Sequence, residues 1–189
     1  MPVTALDEKT ALVLIDLQKG IVGRPLTPTP VETVLENSAA LVSAFHKAGL
    51  PVVVVNVIPP SNAAPRRNDA KMPMPTQLPE GFADIVPQID VQDHDIRITK
   101  HTWNAFHNTA LDEELKKAGV TGIVMAGVSS SIGVEGTARA AYERGYNLTF
   151  AMDAISDMNE KAHENSFGVI FPRMGEIDTT QAIVDKLGA

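Results

Sequence analysis

There is no cysteine among the 189 residues. That excludes disulfides, thiolate metal sites and a thiol nucleophile, and it fits a cytoplasmic chain. The sequence also lacks any block of Lys or Arg. Its 16 basic and 23 acidic residues are scattered, for a net charge of −7, which argues against nucleic acid or an anionic membrane as partner. No apolar run approaches the roughly 20 residues that cross a bilayer. The start, Met1-Pro2-Val3-Thr4-Ala5-Leu6-Asp7-Glu8, shows no basic stretch leading into an apolar one, so no signal peptide is expected.

What is present is an ordinary globular composition, 44% apolar, and a length suited to one domain over 1–189. Short apolar runs alternate with longer amphipathic ones. Strands are expected at Ala11–Asp16, Pro51–Val57, Asp95–Lys100, Gly122–Ala126 and Asn147–Met152. Helices are expected at Val31–Ala48, Phe82–Ile89, Thr109–Ala118, Ser131–Arg144, Asn159–Ser166 and Thr179–Leu187. Several of these helices end at a glycine suited to closing them (Gly49, Gly119, Gly145). Residues 58–80, rich in proline, read as a surface excursion, a lid or an interface arm. Strands alternating with helices predict a three-layer α/β/α sandwich around a central, mostly parallel sheet.

Ligands of such sheets bind beyond the carboxyl ends of the strands. The first strand delivers Asp16 and then Gln18; the third delivers Lys100, His101, Trp103 and Asn104. The fourth delivers Gly127-Val128-Ser129-Ser130-Ser131, and the fifth Asp153 and Asp157. Asp16 follows five apolar residues, so desolvation should raise its pKa while a nearby Lys100 ammonium should lower it. The balance within the pair decides whether Asp16 is an acid or a base at neutral pH. The 127–135 turn opens a helix, and backbone N–H groups near Ile132 and Gly133 would offer an anion or oxyanion site. Ser130 or Ser131 would serve as N-cap; either as a nucleophile is a weaker reading, since no histidine follows at a suitable place. Trp103 and Phe106 would wall an apolar ring pocket, with packing as the plainer alternative for both. The five histidines (His46, His94, His101, His107, His163) are scattered and read as surface or helix-end residues rather than ligands; only His101, beside Lys100, stands apart.

Four segments, taken in order, resemble the isochorismatase-like hydrolase superfamily, also called the cysteine-hydrolase family. They are Leu-Val-Leu-Ile-Asp-Leu-Gln (12–18), Ile-Thr-Lys-His-Thr-Trp-Asn-Ala-Phe (98–106), Gly-Val-Ser-Ser-Ser-Ile-Gly-Val-Glu-Gly-Thr-Ala-Arg (127–139) and Asp-Ala-Ile-Ser-Asp (153–157). The resemblance spans nearly the whole chain. It implies the α/β/α fold, homodimers or larger homo-oligomers, and a small-molecule substrate. It also implies catalytic roles for Asp16 and Lys100, with Gly133 where a catalytic cysteine would stand. Gln18, Trp103, Phe106, Val128, Ser129 and Ile132 would line the substrate site, and Val128-Ser129 matches a place that often carries a cis peptide. Isochorismatases proper are similar in having glycine at the thiol position. There the aspartate protonates a vinyl ether and water attacks the resulting carbon; Gly133 would leave room for this. Val134-Glu135 instead resembles the cysteine-bearing members. Nicotinamidases of this fold hold a metal through an Asp-x-His motif and a further histidine; Asn56-Val57-Ile58-Pro59-Pro60 supplies none, so neither metal nor cofactor is expected. The functions to be separated are a hydrolase that works without a thiol, a silent relative kept for binding or assembly, and an amidase using Ser130 or Ser131.

Overall fold

The computed structural model describes residues 1–60 and 77–187. The excursion expected over 58–80 therefore lies largely, at 61–76, outside the described residues.

Six strands form one sheet: β1 (Thr10–Ile15), β2 (Val52–Val57), β3 (Ile96–Lys100), β4 (Gly122–Val128), β5 (Asn147–Ser156) and β6 (Gly175–Asp178). Their order is β3-β2-β1-β4-β5-β6, and every pairing is parallel. Successive strands are added to one side of β1 up to β3 and to its other side from β4 on, which makes the crevice beyond β1 and β4 the topological switch point.

β1 shows why the sheet is covered on both sides. All six of its residues are buried. Ala11, Val13 and Ile15 join one core, and Leu12 and Leu14 join the other, as the two-residue period of a strand requires. The first core is closed by α3 (Leu111–Lys117) and α4 (Glu135–Glu143), the second by α2 (Val31–Lys47) and α6 (Thr180–Val184). Two short helices, α1 (Lys19–Val22) and α5 (Glu160–Asn165), lie at the carboxyl edge of the strands. β4 can approach β1 so closely only because Gly127 has no side chain: a Cβ there would lie 2.1 Å from the Ile15 carbonyl oxygen, at a φ of +114°.

Three expectations are corrected. Phe82–Ile89 is a run of turns and not a helix. Its backbone is recruited by distant partners instead of by its own fourth neighbours. The Phe82 and Asp84 carbonyls accept from Gly20 and Lys19, and the Val86 N–H donates to Leu17. The helix expected over Ser131–Arg144 begins as a π-turn at Ser130–Val134, with α4 following. β5 runs on to Ser156, past a register shift against β4.

Candidate active site

Asp16 ends β1 by turning into the left-handed region (φ 54°), a conformation aspartate tolerates better than most residues. Its N–H still donates to the Val55 carbonyl on β2 at 2.9 Å. Lys100 is the last residue of β3, opposite Val57. Its Nζ donates to Asp16 Oδ2 at 2.7 Å and to the Thr102 carbonyl at 3.2 Å. Both residues are inside the protein, Asp16 5% and Lys100 2% exposed. Asp16 Oδ1 is buried and has no hydrogen-bond partner among the described residues.

Burial is the largest influence on this carboxyl and pushes its pKa up to about 6; the Lys100 charge and hydrogen bond oppose it without cancelling it. One oxygen is thus fixed by an ammonium. The other is dry and unpartnered, on a group that titrates where proton transfer is useful.

Gly133 sits against the same carboxylate. A Cβ there would meet Ile15 Cγ2 at 2.9 Å, Asp16 Oδ2 at 3.2 Å and the Val128 carbonyl at 3.3 Å. A side chain at this position would therefore crowd Ile15 and Asp16, while the glycine itself lines the cleft. The Val128–Ser129 peptide is cis. In the turn that follows, the Ile132 and Val134 N–H groups both donate to Ser129 O at 3.1 Å, and the Ser131 N–H donates to Asp157 Oδ2 at 2.8 Å. The Ile132 N–H, expected to face an anion, is engaged within the turn.

The serines do not cap as expected. Ser130 Oγ and Ser131 Oγ donate to Asp157 Oδ2 at 3.0 and 2.8 Å, while Asp157 Oδ1 accepts the N–H groups of Met158 and Asn159. A histidine is present after all: His163 Nδ1 lies 3.1 Å from Ser130 Oγ, and burial holds its pKa below the usual histidine value. Ser130 is fully enclosed, and neither it nor Ser131 lines the cleft. Asp157 and His163 therefore hold the turn, a role the bare spacing of these residues gave no sign of.

A cleft of about 810 Å³ opens beside Asp16, Lys100 and Gly133. Ile21, Val57, Pro59, Val128, Ile132 and Met158 make its walls largely apolar. Ser129 and Trp103 also line it, with Trp103 two-thirds exposed. Polar groups come from Thr102, Asn104, His101 and His107.

Two residues expected at the substrate are placed elsewhere. Gln18 is buried with its amide fully engaged, donating to Val57 O and Phe82 O and accepting from the Val57 N–H. Phe106 belongs to the core beside Tyr146, under the Arg144 guanidinium. Asp153, expected at the ligand edge, instead accepts from Thr180 at the start of α6. Among the described residues, the one group arranged like metal ligands is His46, His94 and Asp95, away from the cleft.

Residues 10–182 match the model of the isochorismatase domain. The chain belongs to the isochorismatase family. An uncharacterized isochorismatase family protein of Bacillus subtilis is 38% identical over 186 residues, 95% of each chain. An isochorismatase family protein from Burkholderia thailandensis has a solved structure that superposes with a TM-score of 0.90 at 36% identity over 98% of each chain. The family includes hydrolases: a maleamate amidohydrolase of Pseudomonas putida is 27% identical over 185 residues, 95% of this chain and 87% of its own.

Proposed function

We propose that this isochorismatase family member is a hydrolase of a small metabolite that works without a covalent thiol intermediate, with Asp16 as the proton-transfer group. The observation that carries this is the Asp16 carboxyl, which lines a largely apolar cleft, is raised to about 6, and has one buried oxygen, Oδ1, without a hydrogen-bond partner among the described residues. Lys100 holds Oδ2, fixes the carboxyl plane and keeps the pKa from climbing further. With glycine at position 133 no sulfur can attack, so the nucleophile is water. A vinyl ether would draw on the protonated acid, which delivers its proton to the substrate carbon before water adds. An amide or ureide would draw on the carboxylate, which takes a proton from the attacking water. A cleft with few polar groups suits a ring or short chain carrying one polar end.

The missing thiol also favours a second reading, a family member that binds without turnover. The two separate on a panel of vinyl ethers (isochorismate included), amides and ureides, run with wild type beside Asp16→Asn. The proposal expects turnover of one class and a loss of at least about 100-fold in the variant. Saturable binding with no turnover by wild type, or turnover unchanged in Asp16→Asn, would overturn it.

A further inference from the structure

Two histidines converge on a buried carboxylate at the edge of the sheet opposite Asp16. His46 lies in the last turn of α2, and His94 and Asp95 immediately precede β3. All strands run the same way, so this cluster sits at their amino ends, while Asp16, Lys100 and Gly133 sit beyond the carboxyl ends. Strands of five and six residues keep the two edges about 15–20 Å apart.

His46 Nε2 lies 2.8 Å from Asp95 Oδ1, and His94 Nε2 lies 3.8 Å from the same oxygen. All three ligand atoms fall within 4.8 Å of one another. The Asp95 side chain is 1% exposed, and the Gln92 N–H holds its other oxygen at 2.8 Å. The carboxylate is therefore fixed, the His46 ring is nearly covered, and the His94 ring is 69% exposed and free to swing.

We propose that His46, His94 and Asp95 bind a divalent transition-metal ion of the zinc type. Ligand atoms about 2.0–2.2 Å from a tetrahedral zinc stand about 3.3–3.5 Å apart. The separations of 2.8 and 3.8 Å straddle that spacing, so binding needs His46 and Asp95 to part by about half an ångström and the exposed His94 ring to turn toward them. His46 carries its hydrogen on Nδ1 when Nε2 takes the metal, and water fills the fourth position. Two imidazoles and one carboxylate select zinc, cobalt or nickel over magnesium or calcium. The ion would clip the end of α2 to the entry of β3, and it is independent of the chemistry at Asp16.

The test is calorimetric titration of the whole protein with zinc chloride, with cobalt(II) absorption as a second readout. The expected result is one saturable site, visible bands of four-coordinate cobalt, and no competition by magnesium. His94→Ala, at an exposed position, should weaken binding at least about tenfold, and His101→Ala with His107→Ala, in the active cleft, should leave it intact. Absence of saturable binding by wild type, binding unchanged in His94→Ala, or binding lost in the cleft variant would each overturn the proposal.

Discussion

Asp16 sits between two opposed influences, and the geometry says how each can be removed. Lys100 is the source of both effects that lower its pKa. In Lys100→Met the desolvation remains unopposed, so the carboxyl should titrate above 6. The sign on activity follows from the role. If turnover uses the protonated acid, the rate falls as pH rises through about 6 in wild type, and that limb moves to higher pH in Lys100→Met. If it uses the carboxylate, the rising limb moves the same way. A pH–rate profile unmoved by the substitution would detach Lys100 from the chemistry. At Gly133, restoring a thiol should not restore thiol chemistry. The new Cβ would press on Ile15 and the Asp16 carboxylate, so Gly133→Cys should lose about 1–3 kcal/mol in urea unfolding and gain no activity. A variant as stable as wild type would show that these neighbours yield easily.

The turn after β4 is held by one carboxylate. Asp157 accepts from Ser130, Ser131, Met158 and Asn159, tying the π-turn to the segment after β5. Asp157→Ala would leave the buried Ser130 hydroxyl and the partly buried Ser131 donors without their shared acceptor, and a loss of about 2–3 kcal/mol is expected by denaturant unfolding. A loss below about 1 kcal/mol would mean that water or His163 replaces the carboxylate. This element also shows where sequence reading stops. The Ser-Ser-Ser run is visible in the sequence, but its partner lies 26 residues on, and no periodicity connects them. Phe82–Ile89 went astray for a related reason. Its helix-like spacing is real, but its backbone groups are claimed by residues 17–20. β6 went unseen because Gly-Glu-Ile-Asp is short and half-buried; it is recruited by β5 and covered by the N-terminal residues, with Ile177 donating to Met1.

At the scale of the whole molecule, the strand order decides the site. β1 and β4 lie side by side where the order reverses, and Asp16 and Gly133 follow those two strands. The meeting of Asp16 with Lys100 was legible because each stands at the carboxyl end of a strand, and Gly133 because the resemblance places it where a catalytic cysteine would stand. The engagement of Gln18 and the inward turn of Phe106 were not, since spacing alone cannot say which way a side chain beyond a strand end will point. The same architecture makes Asp16 dry: β1 is buried on both faces, and its last side chain opens on a cleft with largely apolar walls. The most direct measurement is therefore a carbon-13 NMR titration of aspartate-labelled protein, wild type against Asp16→Asn. A carboxyl titrating near 6 in wild type and missing from the variant is the predicted result. An Asp16 signal that titrates at or below about 4 would contradict the account, leaving the residue a permanently ionised partner of Lys100 with no proton to give or take.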